Sequence, residues 1–337
     1  MPNTEGLSLI IFSPGLYNKK DREELFMMAN WKIIHLGILI ALALLISACG
    51  APLLKAENPL IKADTALPAT DIPPTYPPTE ILSPTVIPEQ TPETEETRSQ
   101  DMITITLVFD NYPYKPGLET AWGFSAFITY QDQNVLFDTG ATGNLLLKNM
   151  AALGINPTQI QNVVLSHEHS DHTGGMQALV SAGGDPKIYL PSSFSAEFKN
   201  YYGSQVELIE VSPGMKIIDR MYTIGEMSGP PPEQALVIDT TKGLVVITGC
   251  AHPGIEDIVL KAKQEFKEDI YLVLGGFHLG NASASQINEI IKEFNRIGVK
   301  YVAPCHCTGE QAISKFRNAF GEDFIQVGVG KVIEIEN

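Results

Sequence analysis

Residues 165–175 have the sequence Leu-Ser-His-Glu-His-Ser-Asp-His-Thr-Gly-Gly, and this segment is the strongest indicator of the fold and of the site it forms. A short apolar run precedes it, so it is predicted to be a loop at the end of a buried strand. Alternate residues of an extended loop point the same way, so His167 and His169 can share one metal ion. Asp171 and His172, at the next turn, can bind a second ion. Imidazole and carboxylate ligands suit zinc, iron or manganese.

The alternative interpretation of this loop is a polar turn whose histidines only make hydrogen bonds. The chain has seven histidines in 337 residues, and the loop concentrates three of them beside an aspartate. Clustered groups that can carry positive charge repel one another unless a ligand holds them. The pattern therefore favours a metal site.

Outward from the loop, the globular pattern runs from Met102 to the end of the chain. Strand pairs come first and strands alternate with helices later, which predicts an α/β fold: two mixed sheets sandwiched between helices. The predicted strands are 103–109, 126–130, 134–138, 163–165, 187–190, 235–238, 243–248, 270–274 and 300–303, and the predicted helices are 145–153, 255–266 and 283–297.

Three later segments carry further candidate ligands at predicted strand ends. They are Gly249-Cys250-Ala251-His252-Pro253-Gly254, Gly275-Gly276-Phe277-His278-Leu279 and Pro304-Cys305-His306-Cys307-Thr308-Gly309. Loops at strand ends expose side chains, so these histidines are candidates to complete the metal shell.

The His-x-His-x-Asp-His pattern of residues 167–172 resembles the signature of the metallo-β-lactamase superfamily, and the resemblance extends over residues 102–335. It implies an αβ/βα sandwich with two divalent metal ions at the sheet edges. In Leu136-Phe137-Asp138-Thr139-Gly140, Asp138 matches the aspartate that orients the metal loop from behind. The three later segments are similar, as a group, to a bacterial and archaeal branch related to 7,8-dihydropterin-6-methyl-4-(β-D-ribofuranosyl)aminobenzene-5'-phosphate synthase.

The sequence departs from the wider superfamily at two positions. The usual bridging aspartate is absent and Cys250 stands in its place, either as a bridging thiolate or as a buried neighbour. Glu226 stands where a histidine ligand is usual, and whether it ligates is open. We expect His252 to complete the first metal site and His306 the second. His278 is then a proton donor or a group that supports a ligand.

Cys305 and Cys307 flank His306 on a strand-like run, so both should point away from its side chain and pack. The chain has four cysteines, and the lipid anchor predicted below takes Cys49, which leaves three. An odd number of remaining cysteines outside the cell also admits a free thiol or a metal ligand.

Two divalent ions, zinc above all, with manganese or iron as alternatives, predict a metal-dependent hydrolase. The expected substrate is a small ester, lactone or phosphodiester-like molecule, with Asp171 positioned to accept a proton and His278 as a second catalytic candidate. Two alternatives stay open: an iron-dependent oxidoreductase or sulfur-handling enzyme on the same fold, and a non-catalytic metal-binding lipoprotein.

The N-terminal segment predicts export. A basic start and a short apolar run over residues 36–46 lead into Ile46-Ser47-Ala48-Cys49-Gly50, which resembles a bacterial lipoprotein signal box. The predicted signal peptide is 27–49, with Cys49 lipidated and anchored to the membrane; an uncleaved N-terminal membrane helix is the alternative. Residues 1–26 precede the signal and are interpreted as a mis-assigned upstream extension. Residues 50–100 form a stalk rich in proline and threonine.

The formal net charge of −16 excludes one class of partner. Nucleic-acid binding depends on clusters of Lys and Arg, and the sequence contains none. The expected partners are a small-molecule substrate and, through Cys49, a membrane, while the oligomeric state is left open. The predicted location is outside the cytoplasm.

Overall fold

The computed structural model describes residues 101–337. The predicted signal peptide, the lipidation site Cys49 and the predicted stalk lie outside the described residues. Within residues 101–337, no helix is both long enough and apolar enough to cross a membrane.

The described part contains thirteen strands, seven α-helices and three 3₁₀ helices. The strands are β1 (Met102–Phe109), β2 (Ser125–Tyr130), β3 (Gln133–Phe137), β4 (Asn162–Val164), β5 (Lys187–Pro191), β6 (Leu208–Val211), β7 (Pro213–Ile218), β8 (Met221–Gly225), β9 (Leu236–Thr240), β10 (Gly243–Thr248), β11 (Ile270–Gly276), β12 (Tyr301–Cys305) and β13 (Val332–Glu336). The α-helices are α1 (Gly143–Ala152), α2 (Ser170–Thr173), α3 (Met176–Ser181), α4 (Ala196–Gly203), α5 (Ile255–Phe266), α6 (Ala284–Ile297) and α7 (Glu310–Phe320). The 3₁₀ helices are Pro157–Gln159, His306–Thr308 and Gly321–Asp323.

The strands form two mixed sheets. The first has seven strands in the order β13-β1-β2-β3-β4-β5-β6, and the second has six in the order β12-β11-β10-β9-β8-β7. Strands β3 to β6 run parallel to one another, as do β10, β11 and β12. Because the carboxyl ends of parallel strands share an edge, each sheet presents a row of loops at one edge.

The core has three apolar layers. The central layer joins the facing sides of the two sheets, with Ile105 and Phe137 from the first and Ile238 and Ile247 from the second. A second layer packs α1 and α3 on the outer side of the first sheet. A third packs α5, α6 and α7 on the outer side of the second sheet. The arrangement is the predicted αβ/βα sandwich.

Local sequence explains these elements. In β1, the buried residues Ile103, Ile105 and Leu107 alternate with half-buried ones, as expected for a strand with one face in the core. Strand β10 is buried along its whole length because sheet neighbours and apolar layers cover both faces. Helix α6 begins at a capping box made by Ser283 and Gln286.

The predicted strands and helices are confirmed with boundaries shifted by a few residues; α5 spans the predicted 255–266. The strands between residues 208 and 225, strand β13 and helices α2, α3, α4 and α7 were not predicted.

The strand-like run proposed around His306 is wrong. Strand β12 ends at Cys305, and His306–Thr308 forms a 3₁₀ turn that starts with a positive φ of 48° at His306. The Thr308 hydroxyl donates to the Cys305 carbonyl over 2.6 Å and closes this turn.

Candidate metal centre

The predicted site residues meet where strand ends of the two sheets face each other. The loops after β3, β4, β10, β11 and β12 all converge there. Seven non-glycine residues of the described region have positive φ, and four of them lie in these loops: Asp138, Ala251, His278 and His306. Backbone held in such costly conformations concentrates at functional sites.

A first ligand group comprises His167, His169 and His252. The Nε2 atom of His167 lies 3.0 Å from Nδ1 of His169. The ring of His252 lies 4.8 Å from that of His167 and 5.0 Å from that of His169. Its buried Nε2 atom makes no hydrogen bond to any described residue. His167 and His252 each bring a ring nitrogen within 4.8 Å of the other and of the Cys250 sulfur, and the ring of His169 packs beside both.

A second ligand group comprises Asp171, His172 and His306. The Asp171 Oδ2 atom lies 3.6 Å from Nε2 of His172 and 3.3 Å from Nε2 of His306. His172 and His306 are buried, and Nε2 of His306 has no hydrogen-bond partner within residues 101–337. Helix α2, which starts at Ser170, carries Asp171 and His172, and the His172 ring lies 5.0 Å from that of His306 and 4.3 Å from that of His167.

Cys250 lies between the two groups. Its Sγ atom is 3.2 Å from Nε2 of His172. Within 4.8 Å, the sulfur can be grouped with Asp171, His172 and His306, and separately with His167 and His252. The sequence left open whether Cys250 bridges or merely packs, and the structure places it where it can contact both groups.

Asp138 supports the metal loop from behind, as the resemblance implied. Its carboxylate accepts hydrogen bonds of 2.7 Å from the Ser166 amide and from the Ser166 hydroxyl, and lies 2.7 Å from Nδ1 of His172. Burial disfavours a charged imidazole, but the Asp138 carboxylate outweighs it and raises the pKa of His172 to about 9. The contact fixes the ring so that Nε2 faces the site.

The pKa of His167, in the first group, shifts in the opposite direction from that of His172. Burial, followed by the neighbouring imidazoles of His172 and His252, lowers the pKa of His167 well below its usual range. This histidine is therefore held in the neutral form that a metal ion requires of a ligand.

Glu233 is a functional residue that the sequence reasoning missed. Its buried carboxylate accepts hydrogen bonds from the amides of Cys250, Ala251 and His252 over 2.8 to 2.9 Å. Burial raises the pKa of Glu233, and these three amides counteract that shift. Glu233 follows a run of prolines and belongs to no recognisable motif, so the sequence gives no signal that it clamps the Cys250 loop.

Asp110 and Asn111 hold the His306 turn and were also missed. The Asp110 carboxylate accepts from the His306 amide over 3.3 Å, and Oδ1 of Asn111 lies 3.1 Å from Nδ1 of His306. Burial raises the pKa of Asp110 to about 6. These residues follow β1, nearly two hundred positions from His306, so only the fold brings them together.

The two sheets approach closely at the centre. A methyl group at Gly249 would collide with the Ser166 hydroxyl and lie 2.8 Å from Oδ2 of Asp138. Glycine at this position lets the Cys250 loop of the second sheet pack directly against the metal loop of the first.

The remaining predicted residues lie around the two groups. His278 is exposed, and its ring lies 4.2 Å from that of His252. Cys307 is buried and can be grouped with Cys250 and His278 within 4.8 Å, so it reaches the centre although it flanks His306. Cys305 is fully buried. Glu226 instead accepts hydrogen bonds from Ser192 and Ser193.

The residues present fit a pair of divalent ions. Two buried imidazole nitrogens, one in each group, lack hydrogen-bond partners among the described residues, which is costly unless something else binds them. The donor set of imidazoles, one carboxylate and one sulfur is typical of zinc and related transition metals. The fold and the site thus define a class: an αβ/βα sandwich with two metal-ligand groups at one sheet edge.

Comparisons with known proteins give the same class. Residues 123–263 match the family model described as the metallo-beta-lactamase superfamily. The solved structure of Tm1679, a metal-dependent hydrolase of the beta-lactamase superfamily, is similar with 30% sequence identity and a TM-score of 0.60, covering 70% of this chain and 100% of that one. The metallo-beta-lactamase fold protein YhfI from Bacillus subtilis has 16% identity and a TM-score of 0.55, covering 69% and 99%.

A curated relative from Methanocaldococcus jannaschii is named 7,8-dihydropterin-6-methyl-4-(beta-D-ribofuranosyl)-aminobenzene-5'-phosphate synthase. It is 29% identical over 286 residues, which cover 68% of this chain and 95% of the relative. The chain belongs to the metallo-beta-lactamase superfamily. Proteins with this fold bind divalent metals, and all the candidate ligands described above except His306 lie within residues 123–263.

Proposed function

We propose that this protein is a hydrolase that depends on two divalent metal ions and acts on a small ester, lactone or phosphodiester-like substrate. The observation that carries the proposal is a pair of ligand groups that share the Cys250 sulfur. Asp171, His172 and His306 form one group, and His167 and His252, with His169 packed beside them, form the other. A purely structural metal site has a closed shell of four protein ligands, whereas catalytic sites keep a position open.

His167, His169 and His252 would hold one ion, and Asp171, His172 and His306 the other, with the Cys250 sulfur between them. Bound there, divalent ions would supply an acidified water and polarise the bond under attack. Zinc fits the imidazole-rich set best, and manganese or iron fit the same ligands.

Asp171 is the proposed proton acceptor. It is partly exposed, unlike His172 and His306 beside it, and its carboxylate faces their ring nitrogens. Burial would raise the pKa of Asp171, but its contacts with His306 and His172 prevail and lower it below the usual range. The carboxylate therefore stays ionised, and it can accept a hydrogen bond from the attacking water and orient it.

His278 is the proposed proton donor to the leaving group. It is exposed at the mouth of the centre, and contact with the Cys307 thiol raises the pKa of His278 above its usual value. A histidine whose charged form is favoured by its surroundings suits a general acid. The ring contact with His252 keeps it beside the first ligand group.

Hydrolysis of a panel of esters, lactones and phosphodiesters by the metal-supplemented full chain tests this proposal. Asp171→Asn keeps the size of the side chain but removes the proton acceptor, so we expect turnover to fall about 100-fold or more. Glu226→Gln is the matched control, because that carboxylate bonds to Ser192 and Ser193 instead. Absence of metal-dependent turnover on every substrate, or unchanged turnover in Asp171→Asn, would overturn it.

A second candidate is group transfer to an acceptor other than water. The relative named a synthase favours it, because the alignment spans 95% of that protein. Product analysis separates the two: incorporation of ¹⁸O from labelled water into the product identifies hydrolysis, and its absence indicates transfer.

We further propose that the protein works outside the cytoplasm, anchored by lipid on Cys49. The apolar run and the Ile46–Gly50 segment support this proposal. Metabolic labelling with radioactive palmitate should label the wild-type chain and not Cys49→Ala. Equal labelling of both chains, or none of either, would contradict it.

A further inference from the structure

A cavity of about 590 Å³ opens beside the second ligand group. His306, Cys307 and His278 of the centre form part of its wall, so a molecule in the cavity lies next to the metal ligands. Its volume suits a small organic group, since ligand pockets commonly measure a few hundred cubic ångström or more.

Trp122 forms one wall of this cavity. Its side chain is 57% exposed, and its ring lies 4.9 Å from the ring of His306. Tryptophan carries more apolar surface than other side chains, so exposing it beside a catalytic centre favours a role in ligand contact.

The position of Trp122 is fixed by the chain that follows it. The Phe124 amide donates to the Asp171 carbonyl over 3.2 Å and ties this loop to the metal loop. Gly123 has φ of 142°, and a side chain there would lie 2.6 Å from that same carbonyl. The sequence Trp122-Gly123 therefore holds the indole at a set position relative to Asp171 and His306.

The other walls are apolar or uncharged. Leu279, Ala282 and Ile290 supply apolar surface, and Asn281 supplies an exposed amide. Not one lining residue is Lys, Arg, Asp or Glu. An anionic group would find no Lys or Arg in this lining, only the His278 imidazole at its mouth, and a cationic group would find no carboxylate. A flat apolar group with a polar edge would contact the indole and the opposite wall at once.

We propose that this cavity binds an uncharged aromatic group of the substrate against the indole of Trp122. This inference rests on the proposed function, because it names the substrate class of the same centre. The scissile bond of such a substrate lies towards Asp171 and His306, and its aromatic part lies between Trp122 and the Leu279 wall.

Saturation-transfer NMR on the metal-loaded full chain tests the proposal with three probes of similar size. Benzamide is aromatic and neutral, cyclohexanecarboxamide is saturated and neutral, and benzenesulfonate is aromatic and anionic. We expect benzamide to bind about five-fold more tightly than either of the others, because aromatic contact is worth a factor of that order. In Trp122→Leu, benzamide should bind about five-fold more weakly, and Trp122→Phe should restore most of the loss.

Tyr201→Leu is the matched control, since Tyr201 is 53% exposed and does not line the cavity. Its benzamide affinity should equal that of the wild type. Unchanged affinity in Trp122→Leu, or equal binding of benzamide and cyclohexanecarboxamide, overturns the proposal.

The same probes separate failure of this inference from failure of the proposed function. A chain that hydrolyses esters but binds benzamide independently of Trp122 contradicts only the aromatic site. A chain that binds benzamide through Trp122 but hydrolyses nothing contradicts only the hydrolase, and the aromatic site stands.

Discussion

The two ligand groups share the loop of residues 167–172, yet the pKa of one histidine in each group shifts in the opposite direction. In the first group, burial among other imidazoles lowers the pKa of His167. In the second, the Asp138 carboxylate raises the pKa of His172 to about 9. The first group is also more open, with His169 exposed, whereas His172 and His306 are buried.

The difference shows that residue type alone does not set the behaviour of a metal ligand. Two histidines five positions apart in sequence respond to burial differently because the Asp138 carboxylate lies 2.7 Å from His172, whereas the Glu233 carboxylate lies 3.9 Å from His167. In the metal-free protein, the second group must therefore release a proton from His172 before an ion binds, and the first need not release one from His167. The following predictions test this contrast.

Replacing Asp138 should have the largest effect. Asp138→Ala removes three hydrogen bonds from the buried Ser166 and His172 groups, which should cost about 3 kcal/mol of unfolding free energy. Metal affinity of the second group should fall roughly 10- to 100-fold. Chemical denaturation and competitive chelator titration measure the two quantities.

Asp132→Ala is the control for this substitution, because Asp132 lies exposed in the turn between β2 and β3. Its unfolding free energy should stay within roughly 0.5 kcal/mol of the wild type. If Asp138→Ala and Asp132→Ala had the same unfolding free energy and the same metal affinity, Asp138 would not support the metal loop.

Single ligand substitutions should separate the groups. His169→Ala and His172→Ala should each lower the bound metal by about one ion per chain, since each removes one member of a different group. The two variants should differ in proton release: metal binding to His169→Ala should still release the His172 proton, and binding to His172→Ala should not. Calorimetry in buffers of different ionisation enthalpy measures this release, and equal release from both variants would contradict the contrast.

The metal-free protein should lose stability at alkaline pH. A folded pKa of about 9 for His172 lies above the ordinary value of 6.5, so its contribution is fully present below pH 6.5 and disappears as the pH rises through about 9. The loss amounts to about 3 kcal/mol. The contribution of His167 depends on pH in the opposite way. Because its pKa is lowered, the stability that it contributes is lost as the pH falls below 6.5.

Denaturation of the chelated protein at several pH values measures this loss. Asp138→Asn is the comparison variant, because an amide cannot stabilise the charged imidazole. An alkaline loss of the same size in that variant would show that His172 is not its source.

Strand and helix periodicity predicted the sandwich, and the 167–172 spacing is a local pattern that marked His167, His169, Asp171 and His172 as candidate ligands. His252 and His306 were expected from their places at strand ends and from the family resemblance. The bounds of α5 were predicted correctly, because its apolar residues recur at clear helical spacing. The sequence did not predict the residues that hold the ligand loops in place. Glu233, Asp110 and Asn111 act on segments that only the fold brings near, and no local pattern marks them. The turn at His306 was taken for a strand, because its positive φ is imposed by Thr308 and by Asp110 rather than by its own residue type.

The smallest expected effect concerns the two cysteines that flank His306. Cys305→Ser should leave the metal content unchanged, because Cys305 is fully buried and is not among the grouped ligand atoms. Cys307→Ser should have the larger effect of the two, since the Cys307 sulfur groups with Cys250 and His278. We expect it to lower metal affinity by about two- to five-fold, within the scale of supporting contacts. Chelator titration measures both variants, and loss of an ion in Cys305→Ser would contradict this assignment.

Elemental mass spectrometry of the metal-supplemented full chain tests the central claim most directly. Two ligand groups predict close to two divalent ions per chain, falling to about one in either His169→Ala or His172→Ala. One ion or none in the wild-type chain would contradict the paired centre, and the assignment of His252 and His306 as completing ligands would fail with it.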